Sequence, residues 1–128
     1  MTVTDPQHDD LTAASVAWDL EPLLDGRSGI DELFDEAERI SAELVAGGRG
    51  RIASMNAREL AAFYRRYAVL VELLERAGSY AHLKFAENTA EPSNGARIAR
   101  AEERATAVTT PLLFIDLEWA AASDAQVE

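Results

Sequence analysis

The stretch from Asn56 to Asn88, NARELAAFYRRYAVLVELLERAGSYAHLKFAEN, decides the fold. Its apolar stripe runs through Leu60, Phe63, Tyr67, Leu70, Leu74, Ala77 and Ala81, with Phe85 at the edge. Steps of three and four alternate, the heptad pattern of a helix that packs one seam against other helices. Asn56 is a good N-cap, because its side-chain oxygen can accept from a free amide of the first turn. The pattern carries to about Asn88, which predicts a helix of roughly 30 residues and ~45–50 Å. Gly78 is the place where a kink or break costs least.

A second heptad pattern lies on the C-terminal side. Pro92 or Ser93 opens it, since proline suits a first helical turn. The stripe is Ile98, Ala101, Ala105, Val108, Leu112, Ile115 and Trp119. Pro111 falls inside it and predicts a kink near Thr109-Thr110, because proline lacks the amide that a helix interior needs. The connection at Glu91-Pro92 is short, so these two helices are expected to run antiparallel.

On the N-terminal side, Ile30, Leu33, Phe34, Ala37, Ile40 and Leu44 mark one face of another helix. Ser28 is its candidate N-cap, with Asp31 at the capping-box offset. Gly47-Gly48 is expected to end it in a left-handed cap. Before it, Trp18-Asp19-Leu20-Glu21-Pro22-Leu23-Leu24 reads as an extended segment or single turn that docks on a neighbour, and Asp25-Gly26 as a turn. No strand pattern stands out. The expectation is an all-α chain, an antiparallel helical bundle of about three long helices with an extended N-terminal segment. Residues 1–15 read as a flexible acidic tail, 16–122 as the helical domain and 123–128 as a second tail.

Charge narrows the function. The 128 residues carry 23 acids and 12 bases, a formal charge of −11. Nucleic acid and anionic membrane are therefore disfavoured as partners, since both recruit cations. The acidity is concentrated in residues 1–48, with 12 acids and 2 bases, and reads as a solvated tail and helix face. The N-terminus has no basic or apolar leader, and Ala105–Ala122 is too interrupted to span a membrane, so a cytoplasmic location is expected. The absence of cysteine removes disulfides, thiolate zinc sites and cysteine nucleophiles.

Few residues are candidates for chemistry. A metal-binding helix wants histidines four apart, but His82 has Gly78 and Ala86 at those positions. His8 lies with Asp9 and Asp10 in the tail. Glu32/Glu36, Asp31/Asp35 and Glu102/Glu103 are carboxylate pairs at polar positions, expected to be solvated. Asp35/Arg39 and Glu72/Arg76 are spaced as i,i+4 ion pairs. Asp116 and Glu118 interrupt an apolar run, either facing solvent or meeting an arginine such as Arg65 or Arg66. Gly47–Arg51 is the only basic, glycine-rich element, but it lacks the strand and lysine of a phosphate loop and reads as a linker. No catalytic, cofactor-binding or metal residue is assigned. Phe63, Tyr64, Tyr67, Tyr80, Phe85, Phe114 and Trp119 read as core. The stripes nevertheless offer more apolar surface than three helices cover, which leaves a patch for the rest of a larger protein or for a partner.

Several segments together resemble oligoendopeptidase F, of the thimet-type zinc oligopeptidases. Trp18-Asp19-Leu20 with Leu23-Leu24 resembles the family's W-D-L-x-x-L entry segment. Ser79-Tyr80-Ala81, with Leu83 and Phe85, resembles its S-Y-A segment. Asn88-Thr89 before Pro92 resembles its helix junction, with Asn88 and Glu91 departing from the usual acids. Pro111–Glu118, PLLFIDLE, resembles its P-L-x-F-F-x-L-E stretch. The resemblance runs from about Val16 to Ala122 and implies the N-terminal helical part of a cytoplasmic, mostly helical peptidase that cleaves oligopeptides in a deep channel. The family's zinc, held by an H-E-x-x-H helix and a downstream Glu, has no counterpart here. The chain is therefore expected to be an inactive N-terminal portion, with the remaining catalytic part as its partner. The alternative is a stand-alone acidic helical module that binds another protein through an exposed stripe.

Overall fold

The computed structural model describes residues 19–127, and their side chains as far as residue 122. Among them are α1 (Glu21–Leu24), α2 (Ile30–Gly48), α3 (Ala57–Glu87), α4 (Pro92–Thr109) and α5 (Leu113–Val127). Short 3-10 turns occupy Ile52–Ser54 and Thr110–Leu112. No strand occurs among the described residues, so the chain is all-α. Four helices of 15 residues or more replace the expected three, because Pro111 divides the last pattern in two. The ring removes an amide and the backbone tightens into a 3-10 turn before helix resumes at Leu113. The helix then continues to Val127, past Ser123, where a tail was expected.

α3 is the spine. It runs unbroken for 31 residues, through Gly78, around which there is open space. Asn56 caps it as expected: its Oδ1 accepts from the Glu59 amide at 2.9 Å. Glu59 completes a capping box, its Oε1 accepting from the Asn56 amide at 3.3 Å. α2 and α4 each pack against α3 and against one another. Leu33, Phe34, Ala37, Ile40 and Leu44 meet Phe63, Leu70, Leu73, Ala77 and Ala81, and Ala101 and Val108 close the core. Leu73 is buried where Leu74 is only partly so. α3 meets neighbours on two sides, so its buried arc is wider than a single seam.

The ends of α2 correct two expectations. Ser28 is not the N-cap; Gly29 holds that position, without a side-chain bond. Instead Glu32 reaches back, its Oε2 accepting from the Ser28 amide at 2.9 Å and its Oε1 from the Ser28 hydroxyl at 2.9 Å. Gly47 and Gly48 remain helical, and the left-handed residue in the following loop is Gly50, at φ 79°. Gly48 is small for a different reason: a Cβ there would overlap the Phe63 ring.

The entry segment is a helical turn, not extended. Pro22 sits in its first turn, Leu20 and Leu24 are buried, and Asp25 at φ 50° closes it. Arg76 of α3 ties it down by donating from Nη1 to the Pro22 carbonyl at 2.9 Å. Trp18, His8 and the 1–15 tail lie outside the described residues.

Candidate functional site

The acidic face of α2 is exposed but engaged with arginines from other elements. Arg104 of α4 donates to Asp31 at 3.2 Å, Asp35 at 2.8 Å and Glu38 at 2.9 Å. Its side chain is 15% exposed, and its guanidinium lies 5.3 Å from the Phe34 ring centre. Burial acts to lower the Arg104 pKa, but the bonds to Asp35, Glu38 and Asp31 overcome it and raise the value. The bond from Arg100 holds the Asp31 carboxyl below its usual range, opposed by burial and aided by Arg104. Arg66 pairs with Glu43 at 2.9 Å, and Arg27 donates from Nε to Glu36 at 2.9 Å. Asp35 thus takes Arg104 in place of Arg39, while Glu72 and Arg76 pair at 3.0 Å as their spacing predicts. These carboxylates tie α2 to α3, to α4 and to the loop before it through ion pairs.

At the far end of α2 the basic loop holds an acid of its own chain. Glu118 of α5 accepts from the Gly50 amide at 2.7 Å through Oε2 and from the Ile52 amide at 3.2 Å through Oε1. Glu118 therefore meets neither solvent alone nor Arg65 or Arg66. The signal for this was the pairing of a glycine-rich loop with an acid in an apolar run, and neither segment names the other. Below it, Ser41 satisfies its buried hydroxyl by donating to the Val108 carbonyl at 3.0 Å.

This docking fixes which face of α5 is inside. Phe114 and Ile115 are buried and Glu118 is partly so, while Leu113 is 62% exposed, Leu117 71% and Trp119 47%. Asp116, Ala120 and Ala121 are exposed as well. Trp119 is not core; it lies edge-on to Tyr64 at 6.2 Å, and Tyr64 meets Phe63 at 5.8 Å and Tyr67 at 6.3 Å. Burial pushes the Tyr64 phenol up, with Asp116 and Tyr67 adding to it. A helix that is apolar on both faces is ordinarily buried on both. Among the described residues, three of the four exposed large hydrophobic side chains, Leu113, Leu117 and Trp119, lie on α5.

The segment that receives Glu118 is rich in arginine. Residues 49–71 contain Arg49, Arg51, Arg58, Arg65 and Arg66 against the single acid Glu59. Among the described residues only Arg66 of these five forms an ion pair. Arg51 and Arg65 donate to backbone carbonyls, those of Gly47 and Ala61.

Three further concavities among the described residues are open, one of them, of about 300 Å³, lined by Arg27, Glu32, Asp35, Glu36 and Arg39. A second, of about 390 Å³, is lined by Ser41, Ala42, Val45, Ala46, Val108 and Pro111, with Glu38 and Ala107 at its margin. A third, of about 440 Å³, lies between Pro22 and Arg76. His82 is exposed on α3, with Gly78 and Ala86 one turn away on either side. The described residues do not fit a zinc site of the H-E-x-x-H kind, and no group of three or more His, Asp or Glu among them could hold a metal. No helix among them is long and apolar enough to cross a membrane.

Compared with known proteins, the chain matches no family model, no curated protein and no solved structure. Among the described residues the chain is all-α and leaves the apolar outer face of α5 exposed.

Proposed function

We propose that this chain is the N-terminal helical portion of a zinc oligopeptidase of the oligoendopeptidase F type, acting in the cytoplasm on short peptides. The carrying observation is the open outer face of α5, with Leu113 and Leu117 more than half exposed. The segments that resemble the family also hold structural posts. Leu20 and Leu24 anchor the entry turn, Pro111 starts the 3-10 turn, Phe114 is buried, and Glu118 locks α5 to the loop. On this reading α2, α3 and α4 form an antiparallel bundle that helps wall the peptide channel. The catalytic part of the same polypeptide covers α5 and brings the zinc site. This chain contributes shape and no catalytic group.

The test is hydrolysis of an internally quenched oligopeptide. The 128-residue chain is expected to be inert with or without zinc, and a product extended through the following coding sequence to cleave it and to lose activity to a chelator. An extended product that folds, binds zinc and leaves peptides intact contradicts the proposal. The second reading is a stand-alone helical interaction module, which would use the exposed Leu113 and Leu117 to bind another protein.

A further inference from the structure

We infer that α5 is a hinged strap: it opens as one unit about Thr110–Leu112 while α2, α3 and α4 stay packed, and the Glu118 carboxylate is its latch. The bend lies between a pinned side and a lightly held one. On the α4 side, Ser41 of α2 donates its buried hydroxyl to the Val108 carbonyl at 3.0 Å, and Val108 and Leu112 are buried in the core. In the bend, Pro111 brings no amide, and the backbone crosses it in a 3-10 turn. Thr106, Thr109 and Thr110 each donate a hydroxyl to the carbonyl four residues earlier, at 3.0, 3.0 and 2.8 Å, a back-bonding that bends helices. Thr109, Thr110 and Leu113 all keep right-handed helical dihedrals, so small changes in φ and ψ there swing everything that follows.

Beyond the bend, α5 docks chiefly on the short Ile52–Ser54 turn, whereas α2, α3 and α4 pack against one another. Its buried anchors, Phe114 and Ile115, both lie in the first turn after the hinge. Past them, Glu118 accepts from the Gly50 and Ile52 amides at 2.7 and 3.2 Å, and Trp119 lies edge-on to Tyr64. An element with few buried apolar contacts and an exposed outer face stands at the low-stability end of a fold and opens before the core. Bonds to a charged acceptor are the stronger kind, so Glu118 is the main polar restraint on that opening. Gly50 is exposed, so water takes its amide once the carboxylate leaves. Phe114 and Ile115 then leave together, because a helix turns as a rigid body on its hinge. Opening uncovers Ile52, Phe114 and Ile115, and the strap thereby controls access to this apolar seat.

The test is native-state hydrogen exchange of the 128-residue chain in rising, sub-denaturing urea. In the wild type, protected amides of residues 115–122 are expected to exchange at least about tenfold faster than those of residues 70–81. Their exchange should also depend more weakly on urea, because swinging α5 exposes far less surface than global unfolding. Glu118→Ala should speed exchange in α5 about tenfold, and Glu118→Gln, which keeps one acceptor, by less. Pro111→Ala should move the two sides of the hinge in opposite directions. The end of α4 gains protection, since the new amide can bond the Ala107 carbonyl, and α5 loses it, since a straightened helix is drawn off its seat. Exchange of α5 along the same urea line as α3 overturns the strap, and so does an α5 without protection in the wild type. An opening that takes residues 101–109 with it, or equal gains on both sides in Pro111→Ala, overturns the hinge. Unchanged α5 exchange in Glu118→Ala overturns the latch.

Discussion

Glu118 and Gly50, 68 residues apart, are joined by a 2.7 Å hydrogen bond from the glycine amide to the carboxylate. That bond, with its neighbour from the Ile52 amide, sets the rotation of α5 and so decides that Leu113 and Leu117 point outward. Glu118→Ala removes the acceptor from both amides and is expected to cost roughly 1–2 kcal/mol, since the site is partly buried. Hydrogen exchange reads it: the Gly50 and Ile52 amides and α5 should lose protection while α2 to α4 keep theirs. Uniform exchange with wild type contradicts the role given to Glu118.

Two glycines should respond in opposite directions. Gly48→Ala drives a methyl into the Phe63 ring and should destabilise by roughly 1–3 kcal/mol. Gly78→Ala meets nothing within 4 Å in the interior of α3 and should stabilise by about 0.5–1 kcal/mol. Urea midpoints of the two variants settle the signs.

Arg104→Gln leaves Asp31, Asp35 and Glu38 without their shared partner and uncovers one face of Phe34. A loss of roughly 1–2 kcal/mol is expected, partly from lost packing of the arginine stem. The pH dependence follows from Asp31. Its folded pKa lies below the ordinary 3.8, so its stabilisation is present above that value and is lost as pH falls through the lower folded value. Because the Asp31 side chain is 55% exposed, its own share stays well under ~1 kcal/mol. Thermal melts between about pH 7 and pH 2 should therefore show a smaller gap between wild type and variant at the acid end, where the packing part alone remains. A constant gap across that range contradicts the ion-pair account.

Asn56→Ala breaks the capping box at the start of α3 and should cost about 1 kcal/mol, with Asn56→Asp close to neutral. Equal stability of all three chains by denaturant titration removes the cap from the account.

Much of this fold was legible because its signals are local. The heptad stripe of α3, its Asn56 cap and the break at Pro111 each depend on residues within a turn or two. What escaped depends on partners far along the chain. Ser28 has the chemistry of a cap, but Glu32 offered it two bonds and the backbone placed Gly29 at the boundary. Gly48 looks like a helix stop, yet its role is to admit Phe63, 15 positions on. The paired acids of α2 look solvated until α4 brings Arg104 across them. Glu118 and the loop amides show no mutual signature, because a backbone amide is present at every residue but proline. The outer face of α5 was foreseen only as surplus apolar surface; its position required the fold.

The central claim is that this chain belongs to a longer zinc oligopeptidase. Sequencing the source DNA past codon 128 tests it most directly. The account predicts an open frame that continues to an H-E-x-x-H motif, with helical segments on the way to cover Leu113 and Leu117. A stop codon directly after Glu128, or a continuing frame without that motif, contradicts it.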